Sequence, residues 1–372
     1  MEKKNRIVFG GITFATSFLF YMQAIEYNGM YYSDLPDHIK ISTEEISYSF
    51  LYLIIRIIFL LFSKYAYVIL AVFEGLAVAG TWYYAKRYIQ NNCNLSDSRA
   101  SIVSVILLSF TSIHLPSISN SYYMGLLVTQ PWHNITYIFM RCFAVMTIYY
   151  FRDIYVQFFR NEEIKLKDIA FVSGLLLLTT CIKPNFYMFF AIVICVNVGV
   201  LLVKKRVRFR NCLYMFLALI PAGLAILIQG LILYINPSDE KSGIAIGLSY
   251  FFFFGGAKGL LLKVFGGFLL LLVIFVLKRD ALQPMDFFYV EMLLCALLEA
   301  MLFSETGPRE MHGNFMWGVY VAAYMIYLNE LPFLFSEKSK SGVSILGKAL
   351  LFWHVVSAIC YLCILFSGGA YW

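Results

Sequence analysis

From Phe186 to Val203 the chain runs without a single charged residue, and stretches of the same kind recur from one end of the sequence to the other. A helix crossing a hydrocarbon layer of about 30 Å needs roughly 20 predominantly apolar residues. In that layer each backbone N–H and C=O has to be paired inside the protein, which leaves only helices or closed barrels as spanning structures. Runs this long and this continuously apolar specify helices. Composition agrees, since 61% of the residues are hydrophobic and only 14% are charged, too few to coat a soluble surface. The fold class expected is therefore all-α integral membrane, a single polytopic domain over residues 1–372.

The predicted spans are Ile7–Ala24, Tyr65–Ala85, Ala100–Ile118, Trp132–Tyr150, Ile169–Ile182, Phe186–Val203, Cys212–Ile235, Leu260–Leu277, Met285–Phe303, Asn314–Leu334 and Val343–Phe366. The run Ile46–Phe62 decides the topology. If it lies in the interface, there are 11 transmembrane helices and the N-terminus is cytoplasmic. Twenty of the 29 Lys and Arg then fall on the cytoplasmic side, among them Lys86, Arg87, Lys204, Lys205, Arg206, Lys278 and Arg279. The positive-inside rule selects this arrangement. Arg56, in the middle of the run, agrees, because an arginine at the centre of a lipid-facing span costs about 2.5–3.5 kcal/mol on insertion scales. The net charge of +7 is thus spent on topology and not on nucleic acid. Of the eight cysteines, Cys142, Cys181, Cys195, Cys295, Cys360 and Cys363 sit within apolar runs and read as packing.

With this topology the unusual polar residues collect on the external side. The first loop carries Tyr31, Tyr32, Asp34, Asp37, His38 and Lys40. The fourth span opens with Trp132, His133 and Asn134 and carries Arg141 further in. Lys183-Pro184-Asn185 splits two apolar runs, and Glu305, Arg309, Glu310 and His312 lie in one ten-residue segment, with Glu299 deeper. Asp34 and Asp37 are either a functional pair or solvated loop carboxylates. Lys183 is either a ligand or a snorkelling lysine, and Trp132 either a sugar platform or part of an interfacial aromatic belt. Arg141 in an apolar helix demands a partner or an anionic ligand. The chain has no HExxH, P-loop, GxGxxG or GxSxG pattern. No cofactor and no metal are expected, a divalent ion shared between carboxylates and ligand phosphates being the alternative.

The order of these features resembles the GT-C superfamily of membrane glycosyltransferases, which use polyprenyl-phosphate-linked sugars. The matching residues are Tyr31-Tyr32-Ser33-Asp34-Leu35-Pro36-Asp37-His38 in the first external loop, the apolar run Ile46–Phe62 that follows it, and the Lys183-Pro184 pair at an external helix turn. The likeness is one of layout over residues 1–203; residues 204–372 form the half that varies in such families. It implies a plasma-membrane enzyme moving a sugar to a cell-surface glycan or lipid-linked acceptor on the external face, with inversion at the anomeric carbon. Asp34 would be the general base, with Asp37 as substitute. Arg309, Lys183, Arg141 and His133 would meet the donor phosphate. His38, Tyr32, Trp132, Asn134, Glu305, Glu310 and His312 would bind substrate. Partners would be the lipid-linked donor, the acceptor and membrane lipid. The Phe251–Phe254 run reads as lipid contact or as the wall of an isoprenoid groove. The alternatives are a transporter or flippase for lipid-linked oligosaccharide, a polysaccharide polymerase, or a membrane acyltransferase with a His/Asp pair.

Overall fold

The computed structural model describes residues 2–44, 49–115, 117, 132–235, 243–248, 256–307, 313–336 and 342–369. Its helices are α1 (Lys3–Ala24), α2 (Leu35–Glu44), α3 (Phe50–Phe62), α4 (Ala66–Cys93), α5 (Asp97–Ser109), α6 (Ile135–Phe159), α7 (Leu166–Ile182), α8 (Asn185–Val203), α9 (Phe209–Ile235), α10 (Gly256–Lys278), α11 (Pro284–Leu302), α12 (Met316–Glu330) and α13 (Gly342–Phe366). Two short strands, β1 (Gly243–Ile246) and β2 (Phe303–Thr306), pair antiparallel with Ile244 opposite Glu305.

Among the described residues, seven stretches are long and apolar enough to cross a membrane: Lys3–Ala24, Phe50–Cys93, Asn185–Val203, Phe209–Ile232, Ala257–Ala281, Met316–Phe335 and Ser344–Phe366. The chain is a multi-pass, all-α membrane protein. Three more predicted spans coincide with helices outside the seven. Of these α6 carries Arg141 and Arg152, α11 carries Asp286, Glu291 and Glu299, and α7 has only 17 residues. Met316–Phe335 is the most enclosed of the seven, with 83% of its apolar window buried, so its sequence is free of the need to face lipid.

The local chemistry explains the element boundaries. Lys183 stands before Pro184 and is extended (φ −156°, ψ 121°), as the clash with a following proline ring requires; α7 ends there and α8 begins. Asp286 Oδ2 accepts the Gln283 N–H at 2.7 Å and opens α11 with Pro284 in its first turn. Asn134 Oδ1 accepts the Tyr137 N–H at 2.9 Å and caps α6. Ser63, at φ 33°, separates α3 from α4. The 13 residues of α3 rise about 20 Å, and α3 with α4 makes up the candidate span Phe50–Cys93. The described part of the Ile46–Phe62 run starts at Ser49.

One predicted span differs. In place of a helix over Ala100–Ile118, α5 stops at Ser109 and Phe110 turns extended (φ −58°, ψ 126°). The run Ser109-Phe110-Thr111-Ser112 has weak helix preference, and its backbone finds partners elsewhere, Ile113 N–H donating to Gly266 O at 3.0 Å. Hydropathy cannot register such a break, because the residues on either side of it remain apolar.

The chain divides into two compact units. One comprises residues 1–142, 261–280 and 327–372. Its most extensive helix pair is α1 with α4, and Gly75 permits the approach: a Cβ there would stand 2.7 Å from the Thr13 carbonyl oxygen. The other unit comprises residues 143–260 and 281–326. It is held by α7 against α9 and by α8 against α11. At its centre Phe151, Tyr155, Phe186, Phe190 and Phe288 pack ring to ring, with centroids 4.5–6.1 Å apart, an offset and edge-on arrangement that adds to area burial.

Candidate functional site

The sequence candidates fall into one group in each unit. In the first unit the group is built around the N-terminus of α2. Ser33 Oγ donates to the His133 carbonyl at 2.9 Å and accepts the Leu35 N–H at 3.1 Å. The Asp34 N–H donates to the same His133 carbonyl at 3.2 Å. Residues separated by a hundred positions are thus stitched together through one backbone oxygen. Asn134 Nδ2 then donates to Asp34 Oδ2 at 3.0 Å. The direction of that amide is set, since Asn134 Oδ1 already accepts from Tyr137 N and, at 2.7 Å, from Thr136 Oγ1; only the NH₂ can face the carboxylate. His133 Nε2 stands 4.0 Å from Asp34 Oδ2. Asn134 is 4% exposed, whereas 42% of the Asp34 side chain remains accessible. The result is a carboxylate anchored on one oxygen by a buried donor and still open to a reactant.

The neighbouring candidates take different places. Asp37 and Tyr32 are exposed and His38 is half-buried on α2. The His38 ring approaches the Tyr52 hydroxyl at 2.5 Å through Nδ1, a contact that ties α2 to α3. Arg56 of α3 donates to the Thr43 carbonyl at 3.2 Å, at the C-terminal end of α2 where a cation is favourable. Tyr31 fixes the start of the loop, its hydroxyl donating to Phe366 O at 3.2 Å. Trp132 is buried, its ring 6.2 Å from that of Phe20. Arg141 is wholly buried, its guanidinium 5.9 Å above the Tyr137 ring. Asn134, Tyr137 and Arg141 are spaced three and four residues apart, so they follow one stripe of α6. That stripe leads from the Asp34 carboxylate about 10 Å inward along the helix to a buried cation.

In the second unit the group centres on the α7–α8 turn. Lys183 Nζ lies 4.4 Å from the Trp317 ring centroid, a cation–π contact. Asn185 Nδ2 donates to Asn314 O at 2.7 Å, and Asn314 Nδ2 in turn donates to the Glu305 carboxylate. Glu305 is 6% exposed on β2. Glu299, on α11, is equally buried, and its Oε1 has no hydrogen-bond partner among the described residues. Lys183, Asn185, Glu305, Asn314 and Trp317 therefore form one polar patch. Arg309, Glu310 and His312 lie outside the described residues, as does the Phe251–Phe254 run.

Several participants went unseen in the sequence. Tyr52 and Trp317 sit in apolar runs where an aromatic residue carries no signal. The capping role of Asn134 was legible from its position before a long helix, its grip on Asp34 was not. Among the described residues no three His, Cys, Asp or Glu side chains gather in a way that would hold a metal ion. An open groove of about 590 Å³ runs past α2, lined by Ile25, Glu26, Pro36, Lys40, Phe59 and Tyr67 among others; it is shallow and takes in none of the candidates. No protein-family model matches the chain, and no curated protein matches it in sequence.

Proposed function

We propose that the chain is a GT-C-like glycosyltransferase of the plasma membrane, transferring a sugar from a polyprenyl-phosphate donor to a glycan or lipid-linked acceptor on the external face. In this reading 11 helices span, α3 lies in the interface and the N-terminus is cytoplasmic. The observation that carries the reading is the Asp34 carboxylate. It sits at the head of the first loop helix, fixed by Asn134 through Oδ2 at 3.0 Å and 42% accessible. An acceptor hydroxyl loses its proton as it attacks the anomeric carbon, and a carboxylate held in one orientation is suited to take it. As the bond to the donor phosphate breaks, negative charge grows on the leaving oxygen, and fixed cations stabilise it. Arg141, on the α6 stripe that starts at Asn134, is assigned that role. Glu305 and Asn314 are assigned to sugar hydroxyls, since a buried carboxylate and an amide present acceptors and a donor at fixed spacing.

The test is transfer from a panel of radiolabelled polyprenyl-phosphate sugars by purified wild-type protein and by the Asp34→Asn and Asp37→Asn variants. Transfer abolished only by Asp34→Asn supports the reading, and survival of transfer in that variant moves the base to Asp37. A folded wild type that transfers from no donor refutes the enzyme. The second reading, a transporter of lipid-linked oligosaccharide, draws on the break in α5 after Ser109, because discontinuous helices line many transport sites.

A further inference from the structure

The break in α5 takes no part in the chemistry assigned to Asp34, yet it is among the most deeply buried irregular segments described. Phe110, Thr111, Ser112 and Ile113 are 1%, 1%, 2% and 5% exposed. Irregular backbone at membrane depth persists only where the protein satisfies its polar groups or where it lines a polar cavity. Three of the groups are satisfied by protein. Ile113 N–H donates to Gly266 O of α10 at 3.0 Å. His114 N–H donates to Ser357 Oγ of α13 at 3.0 Å. The Thr111 carbonyl accepts from His354 Nδ1 at 2.6 Å.

Three side-chain atoms of these residues have no partner among the described residues: Thr111 Oγ1, Ser112 Oγ and His354 Nε2. His354 is 0% exposed. A carbonyl only accepts, so the hydrogen of the neutral imidazole is on Nδ1 and Nε2 presents a lone pair. The last turn of α5 adds carbonyl oxygens beyond its final intrahelical hydrogen bonds, at the negative end of the helix dipole. Aromatic rings wall the place, with Phe110 stacked on His354 at 4.5 Å and Tyr327 4.4 Å from Phe110. The break therefore offers two hydroxyls, which can donate or accept, beside the free carbonyls of α5, and none of the residues that form it is acidic. What complements it is a cation of low charge. A divalent ion would call for carboxylate ligands.

We propose that the break in α5 is a membrane-embedded binding site for a small monovalent cation, held by Thr111 Oγ1, Ser112 Oγ and main-chain oxygens at the C-terminal end of α5. The site is separate from the Asp34 carboxylate and holds whether the chain is an enzyme or a transporter. Occupancy stabilises the interrupted backbone that α10 and α13 already hold through Gly266 and Ser357.

The experiment is thermal unfolding of the purified full-length protein in NaCl, KCl, NH₄Cl and N-methylglucamine chloride at equal ionic strength, with equilibrium binding of radioactive sodium as a second readout. A saturable rise in Tm with one of the small cations, absent with N-methylglucamine, is expected. Thr111→Val and Ser112→Ala should each weaken the apparent affinity on the order of tenfold while unfolding like wild type in N-methylglucamine. If one variant fails to fold, the other decides, with Thr111→Ser, which keeps the hydroxyl oxygen, expected to bind sodium like wild type. Equal Tm values in all four salts, with no sodium bound, would overturn it and leave the three atoms to buried water. A salt response unchanged in the two variants would place the cation elsewhere and overturn it equally.

Discussion

Replacing Lys278 by Met should destabilise the protein far more than replacing Lys278 and its partner together. Lys278, the last residue of α10, donates to Glu330 Oε2 of α12 at 3.0 Å, with the two side chains 13% and 0% exposed. Asn329 Nδ2 holds the other carboxylate oxygen at 2.8 Å, and Tyr88 OH donates to Asn329 Oδ1 at 2.8 Å. Lys278→Met leaves a fully buried carboxylate without this cation, and breaking a buried pair in this way costs about 3–5 kcal/mol. Replacing both residues by Met removes the stranded charge together with the attraction, and the double variant should fall within about 1 kcal/mol of wild type. The double-mutant cycle then yields a coupling of at least about 2–4 kcal/mol, to which the cost of Glu330→Met alone is added, measured by reversible unfolding in mixed micelles. A loss below about 1 kcal/mol for Lys278→Met would show that the Glu330 site is open to water and refute the reasoning. So would a double variant as unstable as the sum of the singles.

Other consequences can be checked alongside. Asn134→Ser keeps a capping oxygen for α6 but withdraws the donor to Asp34. A hydrogen bond to a charged group contributes about 1.5–3 kcal/mol, so the variant should lose up to about that much stability in thermal unfolding, and sugar transfer should drop by about 10- to 100-fold in the radiolabel assay. Gly75→Val should cost at least about 1–3 kcal/mol by overpacking, because the Thr13 carbonyl 2.7 Å away is helix backbone that cannot yield, whereas Gly174→Ala, with nothing within 4 Å, should be tolerated; thermal unfolding separates the two. Asp97, bonded to Lys86 at 2.5 Å, is held below its ordinary value of 3.8 by that hydrogen bond. Its folded form is the better acid, so the stabilisation is present above pH 3.8 and fades as pH falls through the lowered value. Asp97→Asn should accordingly flatten the acid limb of a stability–pH profile.

Much of the fold was legible because a bilayer enforces a simple code. Apolar length specifies helices, and Pro184 and Pro284 mark starts that the helices respect. The crowding of carboxylates, a histidine and two tyrosines in the Asp34 loop was legible too. The grip of Asn134 on Asp34 was not, since it joins residues a hundred apart and depends on which way one amide points. Nor was the patch at Lys183: its partner Trp317 is one aromatic among many, and the strand that carries Glu305 forms only through pairing with Gly243–Ile246. The interruption of α5 escaped hydropathy because Phe110 and Ile113 are as apolar as a spanning helix requires.

By itself, then, the sequence determined that this is a multi-pass helical membrane protein, because the cost of exposing backbone polar groups to hydrocarbon depends on composition and length alone. It also determined where the ionisable side chains would be scarce and where they would crowd. Tertiary structure decided which of them meet. A hydrogen bond such as Asn134–Asp34, an ion pair such as Lys278–Glu330, or a break in which Thr111 meets His354 requires two distant segments to arrive in register within about 3 Å. No local pattern encodes that arrival, which comes only from how the helices pack.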